Sequence, residues 1–241
     1  MNKQKLVRFI NKYYLNGVVN SVILNSHSDT QELSARFISG DKTLLGDLTM
    51  DKWDFENSDI GIYNTEQLLK LLSVMDEDIN VSLSRAGDKS IALKVSDSFS
   101  SINYMLSDIS IINKPPQIKA IPDFELSIDV TSQFINKFIA GKNALMETDN
   151  FTVITDGVNT KLVIGYASIN TNRVTIPVTT SKVSDIENVS FNANMFKEVL
   201  TANKECESAI LEISSEGLSK ITFKVDDFTS TYWLVAVSET D

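Results

Sequence analysis

Side chains able to do chemistry are abundant in one class of this sequence and scarce in the others. The 241 residues include 32 acidic side chains but a single histidine, His27, and a single cysteine, Cys206. Paired carboxylates become catalytic only in a cleft with orienting partners. The closest clusters, Asp76-Glu77-Asp78 and Asp226-Asp227, fall in loop-like stretches beside apolar runs and read as solvated turn acids. His27 sits in the polar run SHSDTQ, and one histidine leaves little for a metal or a triad. Cys206 has no histidine neighbour to make a thiolate of it and reads as a passive thiol. The phosphate-cradling patterns GxGxxG and GxxxxGK[ST] are absent, as is the GxSxG elbow. The sequence is therefore expected to encode neither an enzyme nor a metal or cofactor site.

Cationic chemistry is more orderly. Four stretches carry helical periodicity: 3–15, 65–75, 131–142 and 194–204. Together they hold Lys3, Lys5, Arg8, Lys12, Lys70, Lys137, Lys142, Lys197 and Lys204, nine of the 22 basic residues, but only Glu66 and Glu198 of the 32 acids. The helices thus carry +7, against −17 for the rest of a chain of net charge −10. On helical wheels Lys5, Arg8 and Lys12 share a face at i, i+3, i+7, away from Leu6, Ile10 and Tyr13. Lys70, Lys137 and Lys197 point away from the apolar stripes of their own helices. A single lysine of this kind merely solvates a helix; the joint pattern makes a cationic surface suited to a polyanion backbone.

The elements that must position these residues repeat. Asp59–Val81 reads as strand, cap, short helix, loop, strand, with Leu68, Leu69 and Leu72 on one face behind Thr65. The same unit recurs at Ser127–Ile139, capped by Thr131, and at Phe191–Leu200, capped by Asn194. Helices begin near 3, 65, 131 and 194, a spacing of about 60 residues, and β-rich stretches lie between them. Strands are expected from Val18 to Leu24, in a hairpin around Ser39–Lys42 and in another around Ala86–Lys89. Pro115, Pro116 and Pro122, three of the four prolines, stiffen one connector. The division expected is an N-terminal domain 1–112, a connector 113–123 and a C-terminal domain 124–241. The fold class expected is α+β, two similar domains with two helices on antiparallel sheets in each.

Composition sets the outer limits. Apolar residues make up 42% and charged residues 22%, as in a soluble globular protein. No apolar run approaches 18 residues, so no transmembrane helix is expected. The start, MNKQKLVRFINKYYL, reads as an amphipathic helix and not a signal peptide. A lone cysteine fits a reducing cytosol.

The strand–helix unit DIGIYNTEQLLKLLSVMDEDINV, the run INYMLSDISI, the proline connector through IPDFE and the last strand TYWLVAV occur in an order and spacing that resembles a family. It is that of the DNA polymerase sliding clamps, specifically those of large tailed bacteriophages, related to the proliferating-cell nuclear antigen. The resemblance covers nearly the whole chain. It implies a homotrimer with six similar domains in a pseudo-six-fold ring, helices lining the hole around double-stranded DNA. The DNA-facing residues implied are Lys5, Arg8, Lys12, Lys70, Lys137, Lys142, Lys197 and Lys204, touching phosphates without reading bases. The implied subunit interface pairs free strand edges through Ile102, Tyr104 and Leu106 in 99–107 and Val174, Ile176 and Val178 in 173–180. A partner-peptide pocket is implied at Leu45, Ile118, Ile121, Trp233 and Val235. The implied partners are a replicative DNA polymerase and a clamp-loader ATPase, with no membrane, in the cytoplasm of an infected host cell. The function implied is a processivity factor. Two other readings fit the composition: an acidic decoy that mimics DNA, and a structural β-rich virion protein.

Overall fold

The computed structural model describes residues 1–118, 120–167, 169 and 171–237. They fall into two compact units, one of Met1–Gly40 with Asp47–Pro115, the other of Asp41–Gly46 with Pro116–Asp241.

The first unit opens with α1 (Lys3–Tyr14), whose Asn2 side chain accepts from the Gln4 N–H and satisfies an otherwise orphaned helix donor. Leu6, Phe9, Ile10 and Tyr13 form its buried stripe. The helix stops in left-handed residues: Leu15 and Asn16 have φ of 47° and 54°, and Gly17 follows at 101°. That turn occupies the start of the strand expected from Val18, so β1 runs Val22–His27. Then come β2 (Glu32–Ile38), β3 (Leu44–Asp51), β4 (Ser58–Ile62), α2 (Thr65–Leu72), β5 (Asn80–Ala86), β6 (Lys89–Ser96) and β7 (Ser101–Met105). The first four strands lie in the order β4-β1-β2-β3, and Leu24 of β1 pairs with Ala35 on one side and Ile60 on the other. The last three form a separate sheet, β5-β6-β7. Strict alternation in β2 buries Leu33, Ala35 and Phe37, the period expected of a sheet with one face on a core.

The second unit repeats the plan: β8 (Leu126–Thr131), α3 (Ser132–Ala144), β9 (Asn150–Thr155), β10 (Thr160–Ile164), β11 (Val174–Val178), β12 (Thr180–Lys182), β13 (Val189–Asn192), α4 (Ala193–Ala202), β14 (Ser208–Ile213), β15 (Leu218–Val225) and β16 (Phe228–Val235). Its strands lie in the orders β12-β8-β14-β15-β16 and β11-β10-β9-β13. Phe138, Phe151 and Phe196 meet at centroid distances of 4.9 to 5.2 Å beneath α3 and α4.

Two caps differ from expectation. Asn64, not Thr65, caps α2 by accepting from the Gln67 N–H, and Asn192, not Asn194, caps α4 by accepting from the Met195 N–H. Thr65 is buried instead, its hydroxyl donating to the Asn20 carbonyl at 2.9 Å and lying 3.2 Å from the Tyr13 hydroxyl. Asn outranks Thr at the position preceding a helix, and the strand-to-helix turn sets which residue that is.

Candidate nucleic-acid interface and partner surfaces

Helix by helix, the residues turned to solvent follow from which stripe each helix buries. On α1 Gln4 and Asn11 are exposed, with Val7 and Arg8 half-buried beside them. On α2 Glu66, Gln67 and Lys70 are exposed; on α3 Gln133, Asn136, Lys137 and Asn143. On α4 Asn194 and Thr201 are exposed and Lys197 is half-buried, and Lys204 projects from the turn just beyond the helix. Lys70 Nζ lies 2.5 Å from Glu66, one turn away, and that hydrogen bond raises the lysine above its ordinary pKa. Lys197 lies 2.9 Å from Glu198.

Two of the eight expected DNA-facing residues are not on this surface. Lys12 is 1% exposed and Lys142 3%. Lys142 Nζ donates to the Leu145 and Met146 carbonyls at 3.2 and 3.0 Å, so the ammonium caps the end of α3, where the helix dipole favours a cation. Lys12 lies on the flank of α1 occupied by Lys5, whose Nζ donates to the Asp51 and Lys52 carbonyls at 2.8 and 3.2 Å. That flank faces the protein's own backbone. A wheel drawn for one isolated helix cannot show this, because both flanks of a narrow apolar stripe look equally free. What the charge count passed over is the row of amides, Gln4, Asn11, Gln67, Gln133, Asn136, Asn143 and Asn194, which are visible only once the exposed face is known.

The two strands expected at a subunit interface are both sheet edges: among the described residues β7 pairs only with β6, and β11 only with β10. Pro177 sits in β11, where an edge tolerates its missing N–H. Along β7, Tyr104 is buried and Ile102 half-buried, while Ser101, Asn103 and Met105 are exposed; Leu106, just after it, is half-buried. Tyr104 faces its own unit, its hydroxyl accepting from the Asn64 N–H at 3.0 Å. In β11, Ile176 is buried and Val174 and Val178 are half-buried. Between α3 and β11 lies a cavity of about 570 Å³ lined by Asp129, Phe134, Lys137, Val174, Ile176 and Pro177 among others. Beside it α3 packs closely on β11 at Gly141, where a Cβ would lie 3.0 Å from Val174 Cγ1.

Of the five residues expected at a peptide pocket, Leu45 and Ile118 are half-buried, Ile121 and Val235 are exposed, and Trp233 is 9% exposed. Trp233 pairs across to Lys220, whose Nζ stands 5.8 Å from the Phe124 ring centroid. Among the described residues the buried Trp233 indole N–H has no acceptor. Val235 donates to the Thr43 carbonyl, two residues from Leu45.

No protein-family model and no curated protein matches the sequence. Solved structures do match the architecture. The proliferating cellular nuclear antigen of Entamoeba histolytica aligns with a TM-score of 0.73 over 99% of this chain and 97% of its own, at 15% identity. The chain has the sliding-clamp fold. A PCNA2–PCNA3 complex of Sulfolobus tokodaii aligns with a TM-score of 0.74, over 98% of this chain and 97% of the matched one, at 10% identity. At such identities the path of the chain is shared and the surface residues are its own. Among the described residues, no group of three or more His, Cys, Asp or Glu side chains is placed to hold a metal, and no helix is long and apolar enough to cross a membrane.

Proposed function

We propose that this protein is a non-enzymatic sliding clamp, three copies of which close around duplex DNA and tether a replicative polymerase. The observation that carries the reading is the clamp fold over essentially the whole chain. Cations concentrated on helices, in a chain that is otherwise strongly acidic, support it. The helices would face the duplex, with Arg8, Lys70, Lys137, Lys197 and Lys204 contacting phosphates and Lys5 at the margin; Lys12 and Lys142 drop out because their charges are spent inside. Contacts to phosphate carry no sequence information, so the hold is sequence-independent and sliding stays fast.

In this reading residues 1–112 and 124–241 act as the two clamp domains and 113–123 as the connector between them. The β7 and β11 edges join copies, since unpaired strand edges are templates for pairing. Leu45, Ile118, Ile121, Trp233 and Val235 receive a peptide from the polymerase or from the ATPase that loads the ring. The setting is the cytoplasm of a cell infected by a large tailed bacteriophage.

The test combines mass and retention. A subunit of 26.8 kDa predicts a trimer of about 80 kDa by light scattering. Loaded on nicked circular DNA the trimer is retained, and linearising the circle releases it. Changing Lys70, Lys197 and Lys204 together to glutamate leaves the mass unchanged and shortens retention at least about tenfold, because three phosphate attractions per copy become repulsions. Dimers at every concentration, or equal retention on linear and circular DNA, would sink the ring.

A further inference from the structure

Phe99 is 92% exposed, the most exposed of the large apolar side chains described. It is not on a loose loop. Asp97 Oδ1 accepts from the Phe99 and Ser100 N–H groups at 2.8 and 2.7 Å, and Oδ2 accepts from the Asp76 N–H at 2.8 Å. One carboxylate therefore ties the β6–β7 turn to the loop after α2, and these backbone donors hold its pKa down at about 2. The phenyl ring is thus pre-organised at the start of the free edge β7 while filling nothing in its own chain. Leaving such a ring in water forfeits the gain of burying it.

The other free edge has the opposite shape. The cavity between α3 and β11 is lined by the apolar side chains of Phe134, Val174, Ile176 and Pro177, with Lys137 and Asp129 among the polar ones. Arg173, just before β11, is exposed. Charge is complementary as well. The turn that carries Phe99 holds Asp97 and is tied through it to the loop of Asp76, Glu77 and Asp78, whereas Lys137 lines the cavity and Arg173 just precedes its edge strand.

We infer that Phe99 of one copy inserts into the α3–β11 cavity of the next, as the side-chain anchor of the joint between subunits. A protrusion beside one free edge and a cavity beside the other form a heterologous, head-to-tail contact, the kind that closes into a ring. The inference rests on the ring reading above and adds to the backbone pairing of edges what pairing alone lacks, a register. An aromatic side chain in a desolvated pocket is the usual energetic centre of an interface. It also reassigns the apolar contact: Tyr104 is committed to its own unit, and Phe99 makes the reach across.

The test uses the full-length protein with two replacements at one position. Phe99→Asp should leave far-ultraviolet circular dichroism and the melting temperature of the dilute monomer unchanged, since the ring touches no core. It should raise the concentration for half-assembly about ten- to hundredfold, the loss expected for an unburied phenyl group. Phe99→benzoylphenylalanine, irradiated in a mixture of isotopically light and heavy chains, should cross-link to residues 129–137 or 174–179 of a different copy. If wild-type protein assembles into trimers while Phe99→Asp assembles equally well, or the cross-link maps elsewhere, the anchor is wrong and the ring survives. If wild-type protein does not assemble at all, the ring reading itself fails.

Discussion

In the first unit the solvent-facing helix surface consists of Gln4, Val7, Arg8 and Asn11 on α1 and Glu66, Gln67 and Lys70 on α2; in the second it consists of Gln133, Asn136, Lys137 and Asn143 on α3 and Asn194, Lys197 and Thr201 on α4. Both surfaces come from the same local device, an extended residue with a side-chain oxygen that caps a short amphipathic helix. Their interiors differ. Unit one holds α1 and α2 together partly through hydroxyls, Tyr13 to Thr65 to the Asn20 carbonyl. Unit two stacks rings, with Phe138 of α3 against Phe196 of α4 at 4.9 Å and nearly perpendicular. Burial raises the Tyr13 hydroxyl well above the usual phenol range, so it stays a neutral hydrogen-bonding group. The comparison teaches that a repeated surface does not require a repeated core: the cap and the stripe set the face, and each interior fills the space behind it with its own chemistry.

The largest effect should come from breaking the ring stack. Phe138→Ala removes a side chain that is fully buried against rings of β9 and α4 and is expected to cost about 3–5 kcal/mol in urea unfolding. Tyr13→Phe in the first unit removes one hydroxyl and leaves Thr65 its bond to Asn20, so it should cost about 1 kcal/mol. If the two losses were equal, the contrast between an aromatic and a hydroxyl-linked interior would be wrong.

Much of this was legible in the sequence. Four helices with their stripes, the two hairpins and the doubling of the plan all follow from residue period and turn chemistry, which are local. The pairing of strands into separate sheets within each unit is not local, and it was not read from the sequence. Lys12 and Lys142 show the boundary most sharply. Each sits off the centre of an apolar stripe, where the sequence places it in water. For Lys12, whether water or protein covers that flank depends on segments far along the chain, such as the Asp51–Lys52 backbone that receives Lys5, whereas Lys142 folds back on carbonyls three and four residues on. Phe99 is the converse: the interface stretch expected at 99–107 begins with it, but only its exposure singles it out.

A pair of lysines on one helix sharpens the distinction between spent and available charge. Lys142→Ala removes two charge-assisted hydrogen bonds at the end of α3, and it should lower stability by about 1–2 kcal/mol, since water can reach the freed carbonyls at least in part. Its effect on DNA retention should be slight. Lys137→Ala, five residues earlier and exposed, should shorten retention while changing unfolding by less than about 0.5 kcal/mol. Equal effects of the two on retention would mean that the surface containing Lys137 is not the one that meets DNA.

The smallest effect separates the two units electrostatically. Binding of a short duplex, followed by fluorescence anisotropy across a salt series, has a slope of about 0.9 for each phosphate neutralised. Lys137 of the second unit has no acid one helical turn away, whereas Lys70 of the first is already bonded to Glu66 at 2.5 Å. Lys137→Gln should therefore reduce the slope by more than Lys70→Gln, because a lysine that keeps its own carboxylate releases fewer counterions from DNA. Asn136→Ala should weaken binding at every salt concentration and leave the slope unchanged, since a neutral amide donating to a phosphate displaces no counterion. A slope that falls equally for Lys70→Gln and Lys137→Gln would show that Glu66 yields its partner to the phosphate, making the two units electrostatically alike despite their different side chains.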